Sequence, residues 1–152
     1  MEMNIKHFQG YVEKQAEKRV FVISGAPGSG KSTYVKSKIR QEDIALDFDA
    51  LTAALALDDK LYGDRKPQLD VALAAREAIF TEIQNRRGDW KTAYVITARK
   101  EPERVQELCD RLGAELIRMD TTAEECKERV RNDARRDGFT DVYLALVDAW
   151  FQ

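Results

Sequence analysis

The sequence predicts an α/β domain, a parallel sheet with helices on both faces, from three observations. Short β-branched runs alternate with longer segments of helical periodicity, in a repeated βα order, the pattern of a parallel sheet. A glycine-rich stretch, Gly25-Ala26-Pro27-Gly28-Ser29-Gly30-Lys31-Ser32 followed by Thr33, stands between the first strand and the first helix of that series. The length, 152 residues, suits a single domain spanning 1–152 with a real core.

Taken in order, Met1 to Lys18 holds Ile5, Phe8 and Val12 at helical spacing and is predicted as a peripheral amphipathic helix. Its His7, the only histidine, is read as an ordinary surface residue. Arg19-Val20-Phe21-Val22-Ile23-Ser24 is a β-branched and aromatic run, predicted as a buried strand. Lys31 to Arg40 lacks Gly and Pro and is predicted helical. The apolar part of Asp43-Ile44-Ala45-Leu46-Asp47-Phe48-Asp49 supplies the second strand, and Asp49 is placed to cap a helix over Ala50 to Leu55. Leu57 to Gln68 has loop composition. Leu69 to Arg87 is a long helix with Val71, Ala74, Ala75, Ala78, Ile79 and Ile83 near one face, ended by Gly88.

Thr92 to Thr97 is the third strand. Pro102 opens the next helix, which carries Val105, Leu108, Cys109 and Leu112 at i, i+3, i+4, i+7 and stops at Gly113. Glu115 to Met119 is the fourth strand. Thr122-Ala123-Glu124-Glu125 is a capping-box pattern opening a helix to about Arg136, with Gly138 just beyond. That helix has a meagre apolar stripe (Cys126, Val130, Ala134) and four arginines, Arg129, Arg131, Arg135 and Arg136. The last helix, Asp141 to Phe151, puts Tyr143, Leu146, Val147 and Trp150 on a stripe that closes the core.

Composition narrows the possibilities. Hydrophobic content is 43% and charged content 34%, ordinary for a soluble globular chain. A net charge of −2 and a pI near 5.6 argue against a broad, non-specific nucleic-acid grip. They leave room for a narrow basic channel that admits one strand end. Cys109 and Cys126 lack metal-type or C-x-x-C spacing and are expected as reduced core thiols. With no secretory signal and no apolar run near 18 residues, a soluble cytoplasmic protein with no membrane partner is expected.

The glycine-rich stretch fits the phosphate-loop pattern G-x-x-x-x-G-K-[ST] at every fixed position. Strand, glycine loop, helix is the arrangement that needs those glycines. The backbone must curl around a phosphate, so that N–H groups and the helix N-terminus point at the anion. Gly25, Ala26, Pro27, Gly28, Ser29, Gly30, Lys31, Ser32 and Thr33 are therefore the predicted nucleotide-binding residues. Lys31 would reach the β- and γ-phosphates of ATP, and the Ser32 hydroxyl would bind Mg²⁺. Asp47 and Asp49 fall at the carboxyl end of the second strand, where open α/β sheets bind ligands. Residues two apart on an extended chain point the same way, so both carboxylates can face one site.

Cradle, carboxylate pair and arginine helix are the parts that phosphoryl transfer to a hydroxyl requires. A carboxylate accepts the hydroxyl proton, and a guanidinium neutralises charge on the transferring group. The arginines also have a plainer reading, a solvated face salt-bridged to Glu128, Asp133 and Asp137. The helix as a whole is expected to be a mobile lid, because it buries little.

From Val20 onward the chain resembles the P-loop kinases, through Gly25-x-Pro27-Gly28-Ser29-Gly30-Lys31-Ser32-Thr33, Asp47-x-Asp49 and the late arginine helix. The likeness to the kinase domain of phage-type polynucleotide 5′-kinases extends to Pro102-Glu103-Arg104. The chain is also similar to small P-loop ATP-binding proteins of phages and prophages. The resemblance implies a P-loop NTPase fold of four to five strands in the order 2-3-1-4, with an arginine-rich lid. It implies that Asp49 activates the acceptor hydroxyl. As in shikimate- and gluconate-type kinases, it implies that Asp47 helps Ser32 hold Mg²⁺. Lys31, Asp49, Arg129, Arg135 and Arg136 become the candidate catalytic residues.

Two departures limit what is carried over. Polynucleotide kinases place an arginine three residues after the base, where this chain has Thr52. Their third strand ends near an aspartate, where Thr97 stands here with Arg99 nearby. The absent third-strand carboxylate argues against a motor ATPase. The acceptor phosphate loses its usual clamp, which Arg99 could replace unless it is simply an exposed loop arginine. The expected activity is ATP-dependent phosphorylation of a hydroxyl, on a nucleic-acid 5′ end or a small metabolite. The alternative is a phage-associated ATP-binding protein that hydrolyses ATP slowly and has no acceptor.

Overall fold

The computed structural model describes residues 18–152. Strand β1 (Arg19–Ser24) lies between β3 (Thr92–Thr97) and β4 (Glu115–Arg118), and β2 (Ile44–Leu46) pairs with the outer side of β3. All pairs are parallel, as the repeated βα order predicts, and the strand order is β2-β3-β1-β4, as the resemblance implies. The predicted N-terminal helix over 1–18, with His7, lies outside the described residues apart from Lys18. No described helix is long and apolar enough to cross a membrane.

Alternation along β1 splits the core between the two faces of the sheet. Val20 and Val22 point to one face, against Phe80 and Ile83 of α3 (Leu69–Gln84) and Val105, Leu108, Cys109 and Leu112 of α4 (Pro102–Leu112). Ile23 points to the other, against Val35 of α1 (Lys31–Lys38) and Tyr94. Truncating a fully buried side chain such as Ile83 or Leu112 to Ala costs about 2–5 kcal/mol. A third cluster joins the glycine loop to the end of the chain. Ala26 packs with Cys126 and Val130 of α5 (Ala123–Asn132) and Val147 of α6 (Thr140–Phe151).

The second strand is the apolar Ile44–Leu46, as predicted, and Asp43 just before it accepts hydrogen bonds from the Arg40 and Thr92 amides. Several other expectations are corrected. Asp47, rather than Asp49, caps α2 (Phe48–Leu55), with its carboxylate accepting from the Asp49 and Ala50 amides. The arginine helix stops at Asn132. Asp133 turns extended and takes the Arg135 amide on its side chain, so Arg135 and Arg136 sit on a separate 3₁₀ turn, Ala134–Arg136. Nor does that helix bury little, since Cys126 and Val130 are wholly enclosed against the glycine loop. On α6, Val147 is buried but Leu146 is 47% exposed, outside the expected stripe. Val71 of α3 is exposed as well. Cys109 and Cys126 are buried free thiols, and the Thr122–Glu125 capping box forms as predicted.

Candidate active site

The carboxyl end of β1 delivers the chain into the glycine loop, which turns at Gly28 (φ 75°) and Gly30 (φ 93°). Both are left-handed, the region that favours glycine. At Gly28 space makes the same demand, since a Cβ there would lie 2.7 Å from the Cys126 backbone carbonyl oxygen. At Gly30 a Cβ would instead meet the movable end of Arg129, with Nη1 at 2.5 Å. Gly30 opens α1 without a side-chain cap, so the Lys31, Ser32 and Thr33 amides have no intrahelical acceptor. An anion is the natural partner for such a terminus.

Around this cradle, Ser29 is buried, and its hydroxyl has no hydrogen-bond partner among the described residues. Thr121 ties the loop down by donating to the Ser29 carbonyl at 2.7 Å. The Lys31 ammonium donates to the Gly25 and Ala26 carbonyls, both at 2.7 Å. Burial pulls the Lys31 pKa down to about 8, with the Arg136 charge adding and Asp47, Cys126 and Asp49 opposing. A phosphate would restore that proton affinity. The cradle fits a triphosphate.

Asp47 does two jobs at once. One carboxylate oxygen caps α2 and the other accepts from the Ser32 hydroxyl at 3.0 Å. The two predicted Mg²⁺ ligands are thus brought together beside the glycine loop. Among the described residues no three His, Cys, Asp or Glu side chains cluster as a metal cage. A hydroxyl and one carboxylate suit Mg²⁺, which takes one or two protein groups with substrate phosphates and water. Asp49 lies in the first turn of α2, open to solvent but enclosed on several sides by protein. That partial burial, then the neighbouring Asp47 charge, pushes its pKa up, while Arg136, Lys31 and Arg65 pull the other way. Asp49, Lys31 and Arg136 therefore act on one space.

The three candidate arginines are placed quite differently. Arg136 is 7% exposed, donates to the Tyr62 hydroxyl at 2.7 Å, and lies over the rings of Tyr62 (4.5 Å) and Tyr143 (4.7 Å). Its Nε has no hydrogen-bond partner among the described residues, and the Asp133 carboxylate stays 3.8 Å away. Arg135 is clamped by Asp133, with contacts of 2.8 and 2.9 Å. Arg129 overhangs Gly30. Tyr62 and Tyr143 were not among the predicted site residues. An aromatic beside Gly63 in a charged loop was the available signal for Tyr62, whereas Tyr143 read as core.

All these groups line one cleft of about 1600 Å³, as do Arg76, Thr97, Arg99 and Arg104. That exceeds the roughly 300–1,000 Å³ usual for one small ligand, so a nucleotide and an acceptor can share it. Gly25 and Ala26 lie beneath the floor rather than on it, and Ala26 belongs to the core. Thr97 fills the place of a third-strand carboxylate, and its hydroxyl accepts from the Arg99 amide at 3.2 Å.

No family model and no curated protein sequence matches the chain. Solved structures do. One is a chain of the Pnkp1/Rnl/Hen1 RNA repair complex, with TM-score 0.56 and 14% identity over 88% of this chain. This chain spans 45% of that one, less than half its length. Another is a "putative kinase" from Chloroflexus aurantiacus J-10-fl, with TM-score 0.53 and 18% identity, covering 86% of this chain and 75% of that one. At these identities the likeness is one of fold, and the fold is kinase-like.

Proposed function

We propose that the chain transfers the γ-phosphoryl group of ATP to a hydroxyl group. The observation that carries this reading is the meeting of Asp49 and the glycine-loop Lys31 in one cleft, each shifted by burial and each subject to the other's charge. A carboxylate whose proton affinity is raised is the better base for a hydroxyl.

Lys31 and the amides that open α1 hold the phosphates, and Ser32 and Asp47 hold Mg²⁺, which when bound neutralises charge on the β- and γ-phosphates. Asp49 orients the acceptor hydroxyl and takes its proton as the acceptor oxygen bonds to the γ-phosphorus. The bond from that phosphorus to the β-phosphate oxygen breaks, and ADP leaves with the electron pair. Arg136 is the candidate to stabilise the transferring group, because it is held firmly and its charge reaches both Lys31 and Asp49. Nucleic-acid 5′ ends and small hydroxylated metabolites are the acceptor classes to try.

The test is product analysis with γ-labelled ATP, Mg²⁺ and an acceptor panel. Label on an acceptor hydroxyl, lost in Asp49→Asn while ATP still binds, is the expected outcome. Release of free phosphate that no acceptor changes and that Asp49→Asn leaves intact would favour an ATPase instead.

A further inference from the structure

The cleft has a cationic wall that the transfer chemistry leaves unused. Arg76 projects from α3, Arg99 from the loop after β3, and Arg104 from the first turns of α4, and all three line the cleft. Among the described residues none of the three pairs with a carboxylate in a salt bridge. Arg76 instead lies over the rings of Phe48 (5.1 Å) and Phe80 (5.7 Å). Phe48 opens α2, so this contact ties Arg76 of α3 to the start of the helix that carries Asp49. The Arg76 Nε is buried without a hydrogen-bond partner among the described residues.

Charges of one sign are gathered here against their own repulsion. Burial first, then Arg76 and Arg104, lower the proton affinity of Arg99, with only partial relief from Glu77 and Glu107. Glu77 is itself taken by Arg111 at 2.8 Å. Lys100 turns away, donating to the Ala149 carbonyl at 3.0 Å. Glu101 is the carboxylate lining this side of the cleft, too little to neutralise three guanidinium groups.

We propose that Arg76, Arg99 and Arg104 form a second anion subsite on the β3 side of the cleft, which receives a phosphate group carried by the acceptor. The inference rests on the kinase reading above, since it assigns the second occupant of that same cleft. A dianionic phosphate presents oxygens on several sides and suits converging guanidinium forks, whereas one carboxylate would leave part of the cluster unanswered. Thr52 is not available to such a phosphate, because its hydroxyl donates to the Asp49 carbonyl at 2.9 Å and its side chain is buried.

Inorganic phosphate is the probe, titrated calorimetrically into full-length protein already saturated with ADP and Mg²⁺. One phosphate should bind, at least tenfold more weakly in Arg99→Gln/Arg104→Gln, with ADP affinity unchanged. Arg104→Glu, a change at an exposed position, should weaken phosphate in the same way and guards against misfolding of the double variant. Equal phosphate affinity in wild type and both variants overturns the subsite, as does phosphate binding that only Lys31→Ala removes. Failure of ADP to bind at all would instead sink the kinase reading, so the two failures are told apart.

Discussion

The glycine-loop wall of the cleft comes from consecutive residues, 27–33, and works mainly through backbone amides fixed by two left-handed glycines. The opposite wall brings Tyr62, Arg76, Arg99, Arg136 and Tyr143 together from separate loops and helices, and works through side chains. The first wall is a local solution, pinned in place by Thr121 and by the packing of Ala26 against α5 and α6. The second depends on every element being in position. A backbone cradle has to suit any triphosphate, whereas a side-chain wall can be matched to a particular acceptor. On the proposed reading, that division assigns nucleotide binding to the first wall and choice of acceptor to the second.

The largest effect should come from the cradle. Lys31→Ala should lower turnover by roughly 10²–10³-fold, the range found when a group stabilising transition-state charge is removed. Steady-state phosphoryl transfer measures it, and a loss below about tenfold would put the phosphate contact elsewhere.

The arginines then separate the walls. Arg136→Gln should lower turnover roughly 10–100-fold, Arg129→Gln less, and Arg135→Gln less than about threefold, because Asp133 already occupies Arg135. An inverted ranking would mean that the Tyr62–Arg136–Tyr143 stack is structural.

Stability sharpens the comparison further. Gly28→Ala should destabilise by about 2–4 kcal/mol, combining left-handed strain with overpacking against the Cys126 carbonyl and Val130. Gly138→Ala has φ 85° but nothing within 4 Å of the new Cβ, so strain alone should cost about 1–2 kcal/mol. Urea unfolding would show whether that difference is real.

The subtlest effect is on pH dependence. Asp49 must be ionised to accept a proton, so transfer should fall as pH drops through a value above the ordinary 3.8. Lys31 binds phosphates as the ammonium, so nucleotide affinity should weaken as pH rises through about 8. Arg136 lowers the proton affinity of both groups. Removing it in Arg136→Gln should therefore move both limbs to higher pH, which profiles of kcat/KM and of nucleotide affinity would reveal.

Much of this molecule could be read from sequence for a simple reason. The phosphate loop, the Thr122 capping box and the α4 stripe ended by Gly113 each rest on near-neighbour residues, and the parallel sheet on repeating βα units. The strand order came instead from the resemblance to P-loop kinases. Asp47 and Asp49 were legible as a pair, but not which one caps α2, because either has a carboxylate at a workable spacing. Only the fold separates them, with the Asp47 carboxylate taking the Asp49 and Ala50 amides on one oxygen and the Ser32 hydroxyl on the other. The break at Asp133 was hidden, since its side chain competes with helix continuation and the outcome depends on Arg136 finding its place between two tyrosines.

By itself, then, the sequence determined the cradle, because the glycines that allow its backbone path and the lysine and serine that serve it lie within one turn of chain. The tertiary structure decided the rest of the cleft. Tyr62 and Arg136 are 74 residues apart, and Arg76 meets Phe48 only when α3 packs beside α2. No local spacing encodes such meetings. They follow from burying the two faces of the sheet under helices, which leaves the polar ends of those helices converging on one cleft.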